Sequence, residues 1–425
     1  MNGQLTIFDL MYPKYKIAKP IRMLEFFSGY GSTKLAWNYL GIETESYKTC
    51  EWAIKSIQAY KDIHFTDDNT DYSKELKIDE IKDFLFKRGI SSNYNEPMTK
   101  EQVNRLNENQ ARTIYNNIKA THNLVNIQQV KGEDLEIIDR EQFTYLLTYS
   151  FPCQDLSLAG KGKGMSDTST RSGMLWEVER ILTECNELGN LPQILLMENV
   201  PQVHSEDNKQ DFFKWQLRLE ELGYKNYVKD LIATDYGIPQ TRNRCFMVSI
   251  LGDYSYTFPT PIPLKLKLKD LLEKEVSEKY MLSDDMVKGM LKTNFESYKL
   301  ENRLQKSARC PHCILVKNAT KQGYLEAYDG DGVDISGRME YHRGTVQKGA
   351  VQSLDCTGGN TKGVVNSDLR IRKLTPKECF RLMGVKDEDF EKCAKNQSDS
   401  SLYHLAGDAI VVDVIKALYK ELLWN

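Results

Sequence analysis

The first 53 residues alternate short apolar runs with one amphipathic segment. An apolar run over 21–29 ends in glycine, residues 29–41 place apolar positions at helical spacing up to Gly41, and residues 43–53 form a second extended segment. A strand, a tight glycine turn, a helix and a strand in this order predict the opening of an open α/β sheet.

This alternation stops at residue 61 and resumes near residue 143. Residues 61–128 are polar and charged with helical patches, which predicts a helical insertion on the edge of the sheet, and the sequence suggests no function for it. Further strands are predicted at 143–151, 193–200, 227–234 and 244–251, and further helices at 173–189 and 211–223.

A domain boundary is predicted at residues 258–263, where three prolines in six positions exclude a helix or a central strand. From 257 to 370 periodicity is weak and glycine is frequent, which predicts loops that join short strands. Helical order returns from 370 to 384. The apolar segment 404–423 is predicted as one helix that packs back on the first domain. The predicted domains are therefore 1–256, 257–370 and a returning segment 371–425.

Composition narrows the class of protein. Hydrophobic residues make up 40% and charged residues 28%, no apolar run reaches the length of a membrane span, and the N-terminus lacks the pattern of a secretory signal. Nine scattered cysteines suit a reducing cytosol. Net charge is −3, yet residues 257–373 hold 20 Lys/Arg against 15 Asp/Glu, which is either a phosphate-facing surface or ordinary variation.

The first turn and the second strand suggest a nucleoside ligand. Gly29 and Gly31 lack the third glycine of a dinucleotide fingerprint, so a pyrophosphate is not the expected guest. A bare structural turn is as probable on this motif alone. Glu51 at the end of the second strand suits the two hydroxyls of a ribose, and Trp52 could stack on a purine. S-adenosylmethionine fits this description.

Three further motifs follow predicted strands. Cys153 in "FPCQ" stands at a strand end before a basic glycine loop, where a thiol can be a nucleophile although most lone cysteines are buried apolar groups. Glu198 in "ENV" ends another strand and is either a proton donor or a helix cap. Arg242 and Arg244 in "QTRNR" would share one side of an extended chain and are either an anion clamp or surface residues.

Together these motifs resemble the cytosine-5 DNA methyltransferases of bacteria and phages. "EFFSGYGS", "EW", "FPCQ", "ENV", "QTRNR", "RKLTPKECFRLMG" and "AGDAIVVDV" occur in the order typical of that family. The resemblance covers about 21–53, 131–250 and 370–425. It implies an α/β fold, the Rossmann-like sheet of S-adenosylmethionine-dependent methyltransferases, with the helical insertion in the catalytic domain. A smaller, irregular, β-rich target-recognition domain would occupy 257–370.

The resemblance also implies roles. Cys153 would be the nucleophile on cytosine C6, Glu198 would bind N3, and Arg244, with Arg242 beside it, would hold the base and the active-site loop. The implied S-adenosyl-L-methionine contacts are Phe27, Gly29, Gly31, Glu51, Trp52, Asp134 (with Glu133 as competitor), Pro152, Met174 and Asp408. The implied DNA contacts are Gln154, Ser157, Lys161, Lys163 and Gln240.

The implied substrate is a flipped-out cytosine in double-stranded DNA, and the implied enzyme is a cytoplasmic monomer, either with a cognate restriction endonuclease or without one. Departures from the family pattern are Glu25 for aspartate, Gly31-Ser32 for two glycines, Gln352-Ser353-Leu354 for P-T-L, and Asp408 for asparagine. "CPHC" at 310–313 offers too few ligands for zinc, so no metal is expected. The alternatives are a tRNA methyltransferase, a DNA-binding regulator that has lost catalysis, and, least favoured, a thiol redox enzyme.

Overall fold

The computed structural model describes residues 12–151, 173–283, 287, 312–336, 344–357 and 361–423. Its central sheet has six strands in the order β2-β1-β3-β4-β7-β5. β1, β2, β3 and β4 run parallel, and β7 runs antiparallel to β4. The strands are β1 (Ile21–Phe26), β2 (Thr44–Cys50), β3 (Thr144–Tyr149), β4 (Ile194–Asn199), β5 (Tyr224–Ile232) and β7 (Asn243–Leu251). This mixed α/β architecture confirms the predicted fold class.

The two middle strands, β3 and β4, lie in the interior of the protein. Every residue of β3 and β4 is buried, as expected for strands covered on both faces by helices. The covering helices include α1 (Ser32–Tyr39), α2 (Ile54–His64), α6 (Met174–Glu187) and α7 (Lys209–Glu221). Trp215 of α7, fully buried, donates through Nε1 to the Tyr149 hydroxyl at 3.1 Å.

The insertion is helical, as predicted, but its first helix already begins at Ile54. It continues with α3 (Ile78–Arg88), α4 (Lys100–Asn104) and α5 (Glu108–Ala120). Thr99 and Asn107 form capping boxes at the starts of α4 and α5, which satisfy backbone amides that the helices leave unpaired. The insertion has an apolar core of its own, built from Ile81, Leu85, Val103, Ile114 and Ile118 among others.

The contact pattern divides the chain into two compact units. Unit 1 comprises Met1–Leu231, Asn243–Thr260 and Val414–Asn425, and unit 2 comprises Ile232–Arg242 and Pro261–Asp413. Unit 2 holds short strands: the sheet β11-β10-β13-β14 and the pairs β12-β6 and β8-β9. These strands are β6 (Gln240–Thr241), β8 (Ile314–Lys317), β9 (Tyr324–Ala327), β10 (Gly332–Asp334), β11 (Val346–Gln347), β12 (Val351–Gln352), β13 (Lys362–Val365) and β14 (Ile371–Lys373).

The C-terminal segment differs from the prediction of one continuous helix. Helical order after residue 370 is divided among α8 (Pro376–Leu382), α9 (Asp387–Ala394), α10 (Asp399–Asp408) and α11 (Val412–Lys420). Ala409 has φ −80° and ψ 166°, so the chain is extended between the last two helices. Near the C-terminus, Tyr419 stacks on Trp37 of α1 with ring centroids 4.0 Å apart, so this end of the chain packs within unit 1.

Short 3₁₀ turns complete the described chain. They are Ile127–Gln129, Gly132–Leu135, Pro201–His204, Ala233–Tyr236, Leu268–Leu271 and Glu278–Tyr280. Among the described residues, none of the helices has both the length and the apolar character needed to cross a lipid bilayer.

Candidate active site

The carboxyl ends of four parallel strands meet at one edge of the sheet. Phe26, Cys50, Tyr149 and Met197 are paired in one row across β1, β2, β3 and β4. The residues that follow this row therefore project from the same edge. The strand order reverses between β1 and β3, which is where open α/β sheets bind their ligands.

The glycine turn after β1 adopts the left-handed backbone conformation. Phe27 (φ 56°), Gly29 (φ 54°) and Gly31 (φ 80°) all have positive φ. A Cβ added to Gly31 would collide with the side chains of Tyr60 and His64, so glycine is required there. A Cβ added to Gly29 would meet no atom within 4 Å, so this face of the turn is open.

Glu51 faces this turn and is held by two backbone amides. Its Oε2 accepts a hydrogen bond from Gly29 N at 3.1 Å, and its Oε1 accepts one from Ala53 N at 2.8 Å. These two bonds hold the carboxylate between the glycine turn and the start of α2. The open face of the turn lies beside this carboxylate, where the sequence predicts a ribose with two hydroxyls.

Beneath the turn lies a buried carboxyl group that touches no solvent. Glu25, the last but one residue of β1, is fully buried and accepts hydrogen bonds from Thr33 Oγ1 and from the Tyr60 hydroxyl. Burial raises the pKa of Glu25 above its ordinary value, while the two hydrogen bonds act in the opposite direction. Glu25 thus joins β1, α1 and α2 below the site.

Residues of the insertion contact the end of β2, which local sequence patterns do not predict. Asn123 accepts a hydrogen bond from Glu51 N at 3.0 Å and donates one to Glu51 O at 2.9 Å. Trp52, half-buried, packs against the apolar core of the insertion. Asn123 and Glu51 are 72 residues apart in the chain, so a search for local sequence patterns does not connect them.

Asp134 and Met174 belong to a turn and a helix that pack on each other. Asp134 caps its own 3₁₀ turn by accepting from Lys131 N at 2.8 Å, whereas Glu133 is exposed with its carboxylate 3.5 Å from Lys131 Nζ. The turn docks on α6 through Gly132 N, which donates to Glu184 at 2.7 Å. Met174 begins α6 and packs, half-buried, against the main core.

Glu198 lies at the same edge between three strands. Its side chain is 5% exposed, and its Oε1 lies 3.1 Å from Arg244 Nε at the start of β7. Ser150, just after β3, donates to Oε2 of Glu198 at 2.5 Å. Both carboxyl oxygens are thus oriented by neighbouring strands, and the structure brings the predicted Glu198 and Arg244 together.

Asn199 holds the backbone at Phe151, just after β3. Its Nδ2 donates to Phe151 O at 3.0 Å, and its Oδ1 accepts from Val200 N at 2.8 Å. The buried Phe151 is the last described residue before the cysteine motif. The Asn199 amide therefore joins the end of β4 to the chain that leaves β3, in addition to the contact between Glu198 and Ser150.

Arg242 and Gln240 have structural contacts within unit 2. The Arg242 guanidinium donates to the carbonyls of Leu354, Gly407 and Ala409 at 2.8–2.9 Å. Gln240 is fully buried, donates to Leu382 O at 2.8 Å and accepts from Leu354 N at 2.9 Å. The prediction that Gln240 contacts DNA is wrong, because a fully buried side chain cannot reach a duplex, and Arg242 is committed to backbone carbonyls in place of a clamp.

Asp408 lies in a small polar cluster of unit 2. His404 Nε2 is 2.9 Å from Asp408 Oδ2, and Cys356 Sγ donates to the other carboxylate oxygen. Desolvation acts to raise the pKa of Asp408, but the hydrogen bonds from His404 and Cys356 and the charge of Arg242 hold it below its ordinary value.

Two trios of side chains bring possible metal-ligand atoms within 4.8 Å of one another. They are Cys356, His404 and Asp408, and His204, Asp230 and Cys245. In each trio a histidine–carboxylate contact at 2.9 Å accounts for the closeness.

Several predicted residues lie outside the described residues. They are Pro152, Cys153, Gln154, Ser157, Lys161, Lys163 and, in the "CPHC" motif, Cys310. The described Cys313 is buried.

Comparisons with known proteins agree on one family. Residues 89–424 match the family model described as C-5 cytosine-specific DNA methylase. The chain is 32% identical to the type II methyltransferase M2.ScrFI of Lactococcus lactis subsp. cremoris over 95% of this chain and 99% of that protein. It is 30% identical to the orphan methyltransferase M.SssI of Spiroplasma monobiae over 95% and 97%.

Solved structures share the fold at low identity. The Entamoeba histolytica methyltransferase EhMeth superposes with a TM-score of 0.56 at 15% identity, covering 95% of this chain and 98% of that one. The S. pombe Dnmt2 methyltransferase gives 0.52 at 17% identity, covering 95% and 98%.

Proposed function

Because the chain belongs to the C-5 cytosine-specific DNA methylase family, we propose that Cys153, Glu198 and Arg244 are its catalytic residues. The chain is a DNA (cytosine-5-)-methyltransferase, and the family implies S-adenosyl-L-methionine as the methyl donor. The observation that carries the residue assignment is the position of Glu198. Its buried carboxyl group is oriented by Arg244 and Ser150 at the edge of the sheet, and Ser150 shortly precedes Cys153 in the chain.

The Cys153 thiolate adds to C6 of the cytosine. The new S–C6 bond pushes an electron pair into the ring towards C5, which is otherwise a poor nucleophile. Glu198 binds N3 through a shared proton and so limits the negative charge that develops on the ring. Arg244 keeps the Glu198 carboxyl group in one orientation, which lowers the reorganisation that the step requires.

S-adenosyl-L-methionine, when bound, would supply the methyl group to C5 and would leave as S-adenosyl-L-homocysteine once its sulfonium–methyl bond breaks. Glu51 would hold the ribose hydroxyls, and the turn at Phe27, Gly29 and Gly31 would border the adenosine, with Trp52 beside it. After transfer, loss of the C5 proton to a base returns an electron pair to the ring, and the S–C6 bond breaks to release the Cys153 thiolate. The target base must leave the duplex for this chemistry, because C6 is stacked and out of reach inside it.

The remaining assignments concern the substrate and the setting. The segment 257–370 would read the DNA sequence, and the lysines of "GKGKG" would face phosphates. A cytoplasmic monomer that protects DNA beside a cognate endonuclease is one setting, and the two relatives above, one named type II and the other orphan, represent both possibilities.

Bisulfite sequencing of DNA from cells that express the protein tests the proposal. The wild type should produce 5-methylcytosine within one sequence motif, and Cys153→Ala should produce none while it still binds DNA. A duplex with 5-fluorocytosine at the target should trap the wild type covalently, because fluorine at C5 leaves no proton to lose. Methylation by Cys153→Ala, or a covalent adduct with that variant, would refute the role of the thiol.

A further inference from the structure

The end of β2 is surrounded by the insertion. Ser91 N donates to Trp52 O at 2.7 Å, and Ile54 N donates back to Ser91 O at 2.9 Å. On the other side, Leu124 N donates to Thr49 O at 2.8 Å. Several backbone groups between residues 49 and 54 therefore form hydrogen bonds with residues from the middle and from the C-terminal end of the insertion.

Asn123 binds the peptide groups of Glu51 on both sides. Its Oδ1 accepts from Glu51 N at 3.0 Å and from Val125 N at 2.9 Å, and its Nδ2 donates to Glu51 O at 2.9 Å. Asn123 is 9% exposed, so water competes little for these bonds. Only an amide side chain of this length offers an acceptor and a donor in this arrangement.

The carboxylate of Glu51 depends on where its backbone lies. Two of the donors to this carboxylate, Gly29 N and Ala53 N, lie at 3.1 and 2.8 Å, so a small movement of the strand end would break one or both of these bonds. A displacement of about 1 Å is enough to weaken a binding or catalytic group strongly. The same movement would shift Trp52, whose ring packs on the insertion core.

We infer that Asn123 is a positioning residue for the methyl-donor site and that the insertion forms one wall of that site by holding Glu51 and Trp52. The inference rests on the proposed role of Glu51 in binding the ribose. It gives the insertion a task in the reaction: the helices α3 to α5 carry Ser91 and Asn123 to the strand end.

The test compares Asn123→Ala with Asn117→Ala. Asn117 is also a buried asparagine of the insertion, but its amide donates to Gln58 at 2.7 Å, between two helices. For Asn123→Ala we expect the KM for S-adenosyl-L-methionine to rise about tenfold or more, with kcat at saturating donor within about twofold. For Asn117→Ala both constants should stay within about twofold, although thermal unfolding shows a comparable loss of stability.

Direct titration with S-adenosyl-L-methionine at equilibrium should show the same contrast, and Glu51→Ala separates the two proposals. Asn123→Ala with unchanged affinity, beside an impaired Glu51→Ala, would overturn this inference alone. Equal weakening by Asn117→Ala and Asn123→Ala would also overturn it, because a general loss of stability would then explain both. Unchanged affinity in Glu51→Ala would overturn the inference together with the proposed role of Glu51.

Discussion

Nε of Arg244 lies 3.1 Å from Oε1 of Glu198, and this ion pair is largely removed from solvent, with 17% and 5% of the two side chains exposed. Glu198 is the last but one residue of β4 and Arg244 follows the first residue of β7, so the antiparallel pairing of these strands sets their distance. A carboxyl group held in this way is already oriented before a base arrives.

Glu198→Gln should lower kcat by about 10²–10⁴-fold, because the amide keeps the shape but cannot share a proton with N3. Single-turnover methylation of a duplex that contains the recognised motif measures this loss. DNA affinity should change little. Glu220→Gln, at an exposed position of α7, is the matched control and should keep wild-type rates. An active Glu198→Gln enzyme would contradict the assignment.

Arg244→Gln should reduce kcat and also stability, because it leaves Glu198 buried without its cation. Breaking such a pair from one side costs about 3–5 kcal/mol when both groups are deeply buried, and less here because Arg244 is partly exposed. Residues that act as a unit are not additive. The double variant Glu198→Gln/Arg244→Gln should therefore lose less activity than the product of the two single losses, and a strictly multiplicative loss would show that the two residues act independently.

The proposed catalytic side of the fold could be predicted because its residues follow strand ends in the sequence. Glu51 follows the second predicted strand and Glu198 ends an apolar run, and parallel strands carry such residues to one edge. The apolar runs likewise predicted the sheet, and the polar stretch with helical patches between them predicted the insertion. These signals are local, so one sequence is enough to find them.

What the sequence could not predict depends on distant partners. Gln240 has the amide group of a typical DNA contact, but its side chain is buried and donates to Leu382 O, 142 residues away. The apolar pattern at 404–423 continues through Ala409, yet the chain is extended there, where the carbonyls of Gly407 and Ala409 accept from Arg242. Periodicity indicates which face of a helix or strand is apolar, but it gives no information about such long-range hydrogen bonds.

Gln240→Ala should destabilise the protein without a direct effect on DNA binding. The variant leaves Leu382 O and Leu354 N buried without their partner, which costs about 1–3 kcal/mol for each such group. Urea unfolding measures the loss. At a temperature where the variant is folded, DNA affinity and its salt dependence should match the wild type, and a smaller salt slope would restore a role at the DNA.

Arg242→Lys should also act through stability. A lysine can direct three donors from one atom, whereas the guanidinium reaches carbonyls on Leu354, Gly407 and Ala409 with two nitrogens in a fixed plane. We expect a loss of about 1–3 kcal/mol in the free energy of unfolding. The KM for DNA should stay near the wild-type value at a temperature where the variant is folded. A large loss of kcat in a variant of unchanged stability would instead support the clamp that the sequence suggested.

Glu25→Gln should change how stability depends on pH. Burial raises the pKa of Glu25 in the folded protein above its unfolded value of about 4.3, so the folded state binds a proton more tightly than the unfolded state. This contribution to stability is fully present below the unfolded pKa and is lost as pH rises through the folded pKa. The free energy of unfolding of the wild type should therefore fall relative to Glu25→Gln as pH increases from about 5, at up to about 1.4 kcal/mol per pH unit. The difference should level off above the folded pKa.

Urea unfolding at a series of pH values measures this difference in the free energy of unfolding, with the exposed Glu43→Gln as control. Parallel curves for the wild type and Glu25→Gln would show that Glu25 has the same proton affinity in both states.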